Sequence, residues 1–304
     1  MTVSAIIPAH NAENTIDQAV RSALSQADQV VVVADSCTDR TIERARAFPA
    51  VEVHTIAAGS AAAARHHGVE SARGEWLAFL DADDWWGPDW LAAIRRVTAR
   101  DPPADMLIGR AMIVAPEAEY LGPKLPSAAG DHYATLLHRP CVTTSATVLR
   151  RHAYYDAGGF DPRLSGAGVE DFDLWLRVSA SRPVAPVPGV HVYYRHAGTG
   201  GSRDATRFAQ RRNESLRAIN RAARLRPPGP ALLRRARANV YRMSAERFAS
   251  AGWTDEARSE LIRAVRLWPF DPRTLEIAAA TLLPPGALGQ AKKLRRQLKS
   301  RLRI

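Results

Sequence analysis

The segment Trp76-Leu77-Ala78-Phe79-Leu80-Asp81-Ala82-Asp83-Asp84-Trp85 decides the reading of this chain. An unbroken apolar run of strand length passes directly into alternating carboxylates. Continuous apolar residues mark a strand covered on both faces, as in a parallel sheet packed between helices. Side chains two apart on extended backbone point the same way, so Asp81 and Asp83 are expected to converge just past the strand end. Paired oxygens there suit Mg²⁺ or Mn²⁺, which takes one or two protein carboxylates and completes its shell with water and substrate phosphate. The competing explanation is an acidic turn that only caps the next helix. The surrounding sequence favours the cation.

Upstream, strand and helix signals alternate. Val3 to Ile7 reads as a strand, and Ile16, Ala19, Val20, Ala23 and Leu24 mark one face of a helix. Val30 to Val33 is a second strand, Thr38 to Phe48 a helix, Val51 to Thr55 a third strand, and Ser60 to Ser71 a third helix. Downstream, Gly87-Pro88 opens a helix reaching Ala99, with the proline in its first turn. Repeated β-α units with continuously apolar strands predict an α/β fold: a mainly parallel sheet flanked by helices. Such sheets bind ligands at the carboxyl ends of their strands, so the loops after Ile7, Val33, Thr55 and Leu80 should share one edge. Further strands are expected near Met106 to Val114, Ser145 to Leu149 and Val190 to Tyr194, with a helix from Val169 to Ala180.

Beyond Asp204 strand signals vanish. Arg207 to Arg224, Ala231 to Ala251 and Thr254 to Leu267 read as helices, the last two as an antiparallel pair turning at Gly252 and resembling one tetratricopeptide-type hairpin. One copy makes no repeat array. The expected division is an α/β domain over 1–204 and an all-helical extension over 205–304. The extension closes with Lys292, Lys293, Arg295, Arg296, Lys299, Arg301 and Arg303 interleaved with Leu294, Leu298 and Leu302. Residues 284–304 therefore predict a basic amphipathic helix suited to peripheral contact with an anionic membrane. Nucleic acid is not an expected partner, since no nucleic-acid-binding motif accompanies the charge.

The 304 residues are 46% hydrophobic and 24% charged, ordinary for a globular protein, with a net charge of +11 that favours an anionic partner. Two cysteines, Cys37 and Cys141, indicate neither a disulfide framework nor a zinc site. Val3 to Ile7 is too short for a secretory h-region, and no window nears 18 uninterrupted apolar residues. A cytoplasmic location is expected, with attachment at the inner face of the cytoplasmic membrane through the tail.

Four loop elements line up at the strand ends: Pro8-Ala9-His10-Asn11, Ala34-Asp35-Ser36-Cys37-Thr38-Asp39, Gly59 to Gly68 with Arg65, and Asp81-Ala82-Asp83. A fifth, Gly158-Gly159-Phe160-Asp161, leads to Val169-Glu170-Asp171-Phe172-Asp173-Leu174-Trp175. In this order they resemble the family 2 glycosyltransferases, inverting enzymes of Rossmann-like GT-A fold, over roughly residues 2 to 200. The resemblance implies a metal-dependent transfer from a nucleoside diphosphate sugar, expected to be UDP-linked, to a hydroxyl on a glycan, lipid-linked or small-molecule acceptor. Synthesis of a cell-envelope polysaccharide or glycoconjugate is the setting it implies.

Residue by residue, it places Pro8 and Asn11 at the nucleotide, Asp35 on the base, Arg65 near the diphosphate, Asp81 at the ribose or metal shell, and Asp83 on the cation. Asp171 becomes the base that takes the acceptor proton, with Glu170 orienting the acceptor. His196, in Tyr194-Arg195-His196, is a candidate third metal ligand, and residues 198–203 a lid. Trp85 and Trp86 could roof the sugar or simply pack. The chain departs from the family's usual Asp-Asp-Gly-Ser-Thr-Asp run at Ala34 and Ser36-Cys37, and Asp39 suits a helix cap equally well. A sugar nucleotidyltransferase would carry a Gly-rich loop after the first strand, which is missing here. A non-catalytic nucleotide-sugar-binding scaffold would tolerate loss of Asp83 or Asp171, and both are present.

Overall fold

The computed structural model describes residues 1–99, 104–116, 118–122, 130–139, 142–196, 204–269 and 271–281. The chain forms two compact units, residues 1–136 with 140–200, and residues 137–139 with 201–304.

The first unit starts as the sequence predicts, with β1 (Val3–Ala9), α1 (Ile16–Leu24), β2 (Gln29–Asp35), α2 (Thr41–Arg46), β3 (Val51–Ile56), α3 (Ala61–Ser71) and β4 (Trp76–Phe79). It continues through β5 (Trp85–Trp86), α4 (Trp90–Thr98), β6 (Met106–Ala115), β7 (Ala118–Leu121), α5 (His132–His138), β8 (Thr147–Arg150), α6 (Arg151–Asp156), α7 (Glu170–Ser181) and β9 (Val184–Arg195). The sheet order is β3-β2-β1-β4-β8-β6-β9-β5, with β7 paired to β6. Its first four strands are all parallel, as continuous apolar runs require. All seven residues of β2 are buried. The register sets Ala9 opposite Ala34 and Ile6 opposite Phe79, so the loops after β1, β2 and β4 emerge at one edge.

Past β4 the sheet turns mixed: β8 is antiparallel to β4 and β6, β9 runs parallel to β6, and β5 runs antiparallel to β9. Helices cover both faces. Ile16, Ala19, Val20 and Ala23 of α1 pack into the main core with Trp76, Leu80, Trp90 and Val192. Across the sheet, α3 lies close enough that a Cβ on Gly68 would stand 2.6 Å from Ile6 Cγ2. Glycine at that position sets how near the helix approaches the strand.

Several elements differ from the sequence expectation. The helix predicted over Thr38 to Phe48 shortens to α2, because Asp39 turns its carboxylate onto the N–H groups of Glu13 and Thr41 and holds its own segment outside the helix. Pro88 precedes α4 instead of lying in its first turn; Asp89 takes the N-cap position. The Gly87 N–H, 2.7 Å from the His191 carbonyl, keeps that turn beside β9. β9 begins at Val184, six residues ahead of the predicted Val190, since its first half pairs with Met106 to Ile108 of β6. Thr144–Ala146 form a 3₁₀ turn ahead of β8.

The second unit contains α8 (Ala205–Leu225), α9 (Pro230–Ser250), α10 (Thr254–Leu267) and α11 (Pro272–Thr281). Gly252, at φ +88°, supplies the left-handed turn between α9 and α10. Ala245, Leu261 and Ile277 form a small shared core. Glu260, 2% exposed, is held by Arg212 at 2.6 Å and Arg263 at 3.0 Å. Among the described residues no helix is long and apolar enough to cross a membrane. The basic segment 284–304 lies outside the described residues.

Two outcomes follow for stability. Substituting Gly68 with alanine forces Ile6 to shift and should cost roughly 1–3 kcal/mol; urea denaturation against wild type measures it. Burial holds the His138 imidazole down near pH 4, helped by the charges of Arg235 and Arg139. Its folded value lies below the unfolded one, so the unfolded chain binds more protons between pH 6.5 and about 4. His138 therefore contributes fully above pH 6.5, and its contribution is lost as pH falls toward 4. The loss is bounded at about 3 kcal/mol before solvent screening reduces it. His138→Gln should flatten this part of the stability–pH profile of α9–α11, read by circular dichroism melts.

Candidate active site

At the carboxyl edge of the four parallel strands opens a cavity of about 730 Å³. Its walls include Pro8, Asn11, Asp35, Arg65, Asp81 and Asp83, and the end of β9 adds Tyr194 and Arg195. All the donor-side residues singled out in the sequence except His196 meet in this one space.

The wall after β1 and β2 is built on unusual backbone. Asn11 and Ser36 are the non-glycine residues at positive φ among the described residues, at 48° and 52°. Both use their side chains to hold it: Thr38 N–H donates to Asn11 Oδ1 at 2.8 Å, and Ser36 Oγ donates to Asp35 Oδ1 at 2.9 Å. Asp35 itself is 4% exposed. It accepts the backbone N–H groups of Ala58, Gly59 and Ser60 at 2.7–2.9 Å. Burial raises its pKa, yet these donors win and hold the carboxyl below the usual range. Asp35 thus organises the loop leading into α3, a job the sequence did not reveal.

Arg65 projects from α3, whose N-cap Ser60 accepts the Ala63 N–H at 3.2 Å. The guanidinium is 6% exposed and makes two ion pairs: Nη2 to Asp81 Oδ1 at 2.7 Å and Nη1 to Glu170 Oε1 at 3.0 Å. It also lies 5.5 Å from the centroid of the Phe160 ring. One arginine therefore ties the acid after β4 to the acid that opens α7. Neighbouring Asp171 accepts the Thr144 hydroxyl at 2.9 Å, and its charge reaches both Arg65 and Tyr194. Glu170 and Asp171 are not part of the cavity wall; they join it through Arg65. Burial, then the charge of Asp171, pushes the Glu170 carboxyl above its ordinary value.

The acidic turn itself is braced from behind. Asp84, which the sequence reading passed over, is 1% exposed and accepts from the Ser145 hydroxyl and from the Arg195 N–H at 2.8 Å. Ser145 Oγ also accepts the Asp81 N–H at 3.1 Å, and its carbonyl takes the Trp86 indole N–H at 2.8 Å. Burial, followed by the charge of Asp81, lifts the Asp84 carboxyl to about 8. Desolvation and Asp81 likewise raise Asp83, which stands at the open mouth. The hint in the sequence was a third acid directly before a tryptophan pair.

The tryptophans are structural. Trp86 is buried, and Trp85 stacks on Tyr193 at 5.2 Å while Arg195 covers it from 5.0 Å. Arg195 also bonds the Asp83 carbonyl at 2.9 Å and Gln18 at 2.7 Å, anchoring the end of β9 to the acidic turn. His196 is not among the residues of the cavity wall. Its backbone N–H bonds Val114 O at 2.7 Å, continuing alongside β6, and among the described residues no three His, Cys, Asp or Glu side chains assemble to hold an ion. The oxygens of Asp81 and Asp83 remain, with accumulated negative charge around them. Two carboxylates lining the cavity fit a hard cation that takes its other ligands from water and phosphate.

Residues 4–156, half of the chain, match the model described as glycosyl transferase family 2, and residues 132–202 match that of a glycosyltransferase-like family 2. The succinoglycan biosynthesis protein ExoO of Rhizobium meliloti is 39% identical over 95 residues, covering 29% of this chain and 27% of ExoO. The putative teichuronic acid biosynthesis glycosyltransferase TuaG of Bacillus subtilis is 34% identical over 97 residues, covering 29% of this chain and 38% of TuaG. The matched region thus spans well under half of either relative. Among solved structures, S. aureus TarS 1–349 in complex with UDP-GlcNAc superposes with a TM-score of 0.65 at 16% identity, over 88% of this chain and 83% of that one. The mannosyltransferase PcManGT from Pyrobaculum calidifontis, in complex with GDP-Man and Mn²⁺, superposes at 0.60 with 18% identity, over 98% and 86%. These structures share the GT-A fold, and the family match identifies the chain as a member of glycosyl transferase family 2.

Proposed function

We propose that residues 1–204 form an inverting glycosyltransferase that moves a sugar from a nucleoside diphosphate, UDP by preference, to an acceptor hydroxyl in cell-envelope polysaccharide or glycoconjugate synthesis. The observation that carries the reading is the double ion pair of Arg65. It ties the acids on the donor cavity to the acids opening α7, as a direct displacement between two bound substrates requires. Relatives named for succinoglycan and teichuronic acid biosynthesis support the envelope setting.

The roles divide by position. Pro8, Asn11 and the loop fastened by Asp35 bound the nucleoside end of the cavity. Arg65 supplies a fixed positive charge for the diphosphate. Asp81 and Asp83 would hold Mg²⁺ or Mn²⁺, which supplies Lewis-acid stabilisation of the departing diphosphate. Asp171, oriented by Thr144, takes the acceptor proton, and the hydroxyl oxygen bonds to the anomeric carbon as the glycosyl–phosphate bond breaks. Glu170 keeps Arg65 in place and faces the acceptor. The tail 284–304 adds peripheral contact with the anionic inner face of the cytoplasmic membrane.

A panel of UDP- and GDP-sugars with Mn²⁺ should show slow release of nucleoside diphosphate from one donor, and chelation should abolish it. Asp83→Ala should lower that release at least a hundredfold; unchanged release would refute the cation assignment. Asp171→Asn should eliminate transfer to an acceptor while donor affinity, read by calorimetry, stays at the wild-type value. The product anomer, read by NMR, should be opposite to that of the donor. Removing the buried guanidinium with Arg65→Ala strands Glu170 and should cost about 3 kcal/mol of stability, measured in urea. Arg65→Lys should recover part of it.

A further inference from the structure

The charge of this chain is divided. Residues 1–204 carry 19 basic and 24 acidic side chains, whereas 205–304 carry 23 basic and 7 acidic ones. Within α8, α9 and their connection, residues 205–250, there are twelve arginines against Glu214 and Glu246. The entire positive excess belongs to residues 205–304.

The turn joining α8 to α9 concentrates it. Arg224, Arg226, Arg234 and Arg235 are all exposed there, around Leu225, which is 60% exposed. The connection is Arg226-Pro227-Pro228-Gly229, and α9 begins at Pro230. Helix stability explains Arg224, which lies in the last turn of α8 where a cation complements the helix dipole. It does not explain Arg234, which is exposed in the second turn of α9 with no acid in the turn before it. Arg235 differs, since its charge reaches His138 and Asp271 of the same unit. Exposed arginines on both helices, with a leucine kept in water at their connection, point to a surface that meets its partner outside the fold.

We propose that the α8–α9 tip docks on an anionic phospholipid bilayer, with Leu225 entering the interface and the arginines lying at the phosphate level. Charge selects an anionic partner, and the exposed leucine selects a bilayer over a nucleic acid, which offers no apolar layer for it. Arginine suits the role because its fork bonds phosphate oxygens in pairs. The surface is separate from the tail 284–304, and lipid binding is read without any sugar donor, so it stands or falls apart from the glycosyltransferase reading.

The test uses the full chain and sedimentation with vesicles of pure phosphatidylcholine or of phosphatidylcholine with 30% phosphatidylglycerol. Binding is expected on the anionic vesicles only, weakening as sodium chloride rises from 50 to 300 mM. Each arginine near such a surface is worth about fivefold in affinity, so R224E/R234E should reduce binding well over tenfold. L225S alone should weaken it several-fold with little change in salt dependence. Both variants should keep the wild-type helical circular dichroism. In a chain truncated after residue 283, the remaining binding to anionic vesicles should again fall well over tenfold on R224E/R234E. Equal binding by R224E/R234E and wild type, equal binding to both vesicle types, or tighter binding to a single-stranded oligonucleotide than to anionic vesicles would each overturn the proposal.

Discussion

The first unit depends on what a buried guanidinium demands. Arg65 cannot give up its proton, so a folded chain that buries it must bring carboxylates to it. Two arrive from very different distances along the sequence, Asp81 sixteen residues on and Glu170 a hundred and five residues on. Satisfying that one cation brings the turn after β4 and the start of α7 together. Burial and Asp171 push the Glu170 carboxyl up, while the guanidinium pulls it back. The acids are thus held close against their own repulsion by a charge of the opposite sign.

A second constraint lies in the backbone. Asn11 and Ser36 occupy left-handed conformations that cost a side-chain-bearing residue on the order of 1–2 kcal/mol each. Ser36 places a hydroxyl at a site of strain. The hydroxyl donates to Asp35, the acid that gathers three backbone N–H groups of the next loop. Strain of this kind persists only where the surroundings over-determine it, which is the condition of a binding wall.

Much of this architecture was legible in the residues because its signals are local. Val30 to Val33 and Trp76 to Leu80 are apolar throughout, and such runs fit only a sheet covered on both sides, which in turn puts the loops with Asn11, Asp35 and Asp83 on one edge. What could not be read was set by distant partners. Whether Asp84 is buried depends on Ser145 and on the end of β9, 61 and 111 residues away. Trp85 looks like a sugar platform until its stacking on Tyr193 is seen. The early start of β9 was hidden because Pro186, Pro188 and Gly189 read as loop, whereas the bulged pairing with β6 tolerates them.

Gly68 lies one turn beyond Arg65 on α3, at the point where the helix nearly touches Ile6 of β1. The absent side chain therefore fixes the height from which the guanidinium is cantilevered over the sheet. The reach of an arginine in the cavity wall is thus set by a residue that touches only the hydrophobic interior, and a change there would displace Arg65 without replacing any residue of the wall.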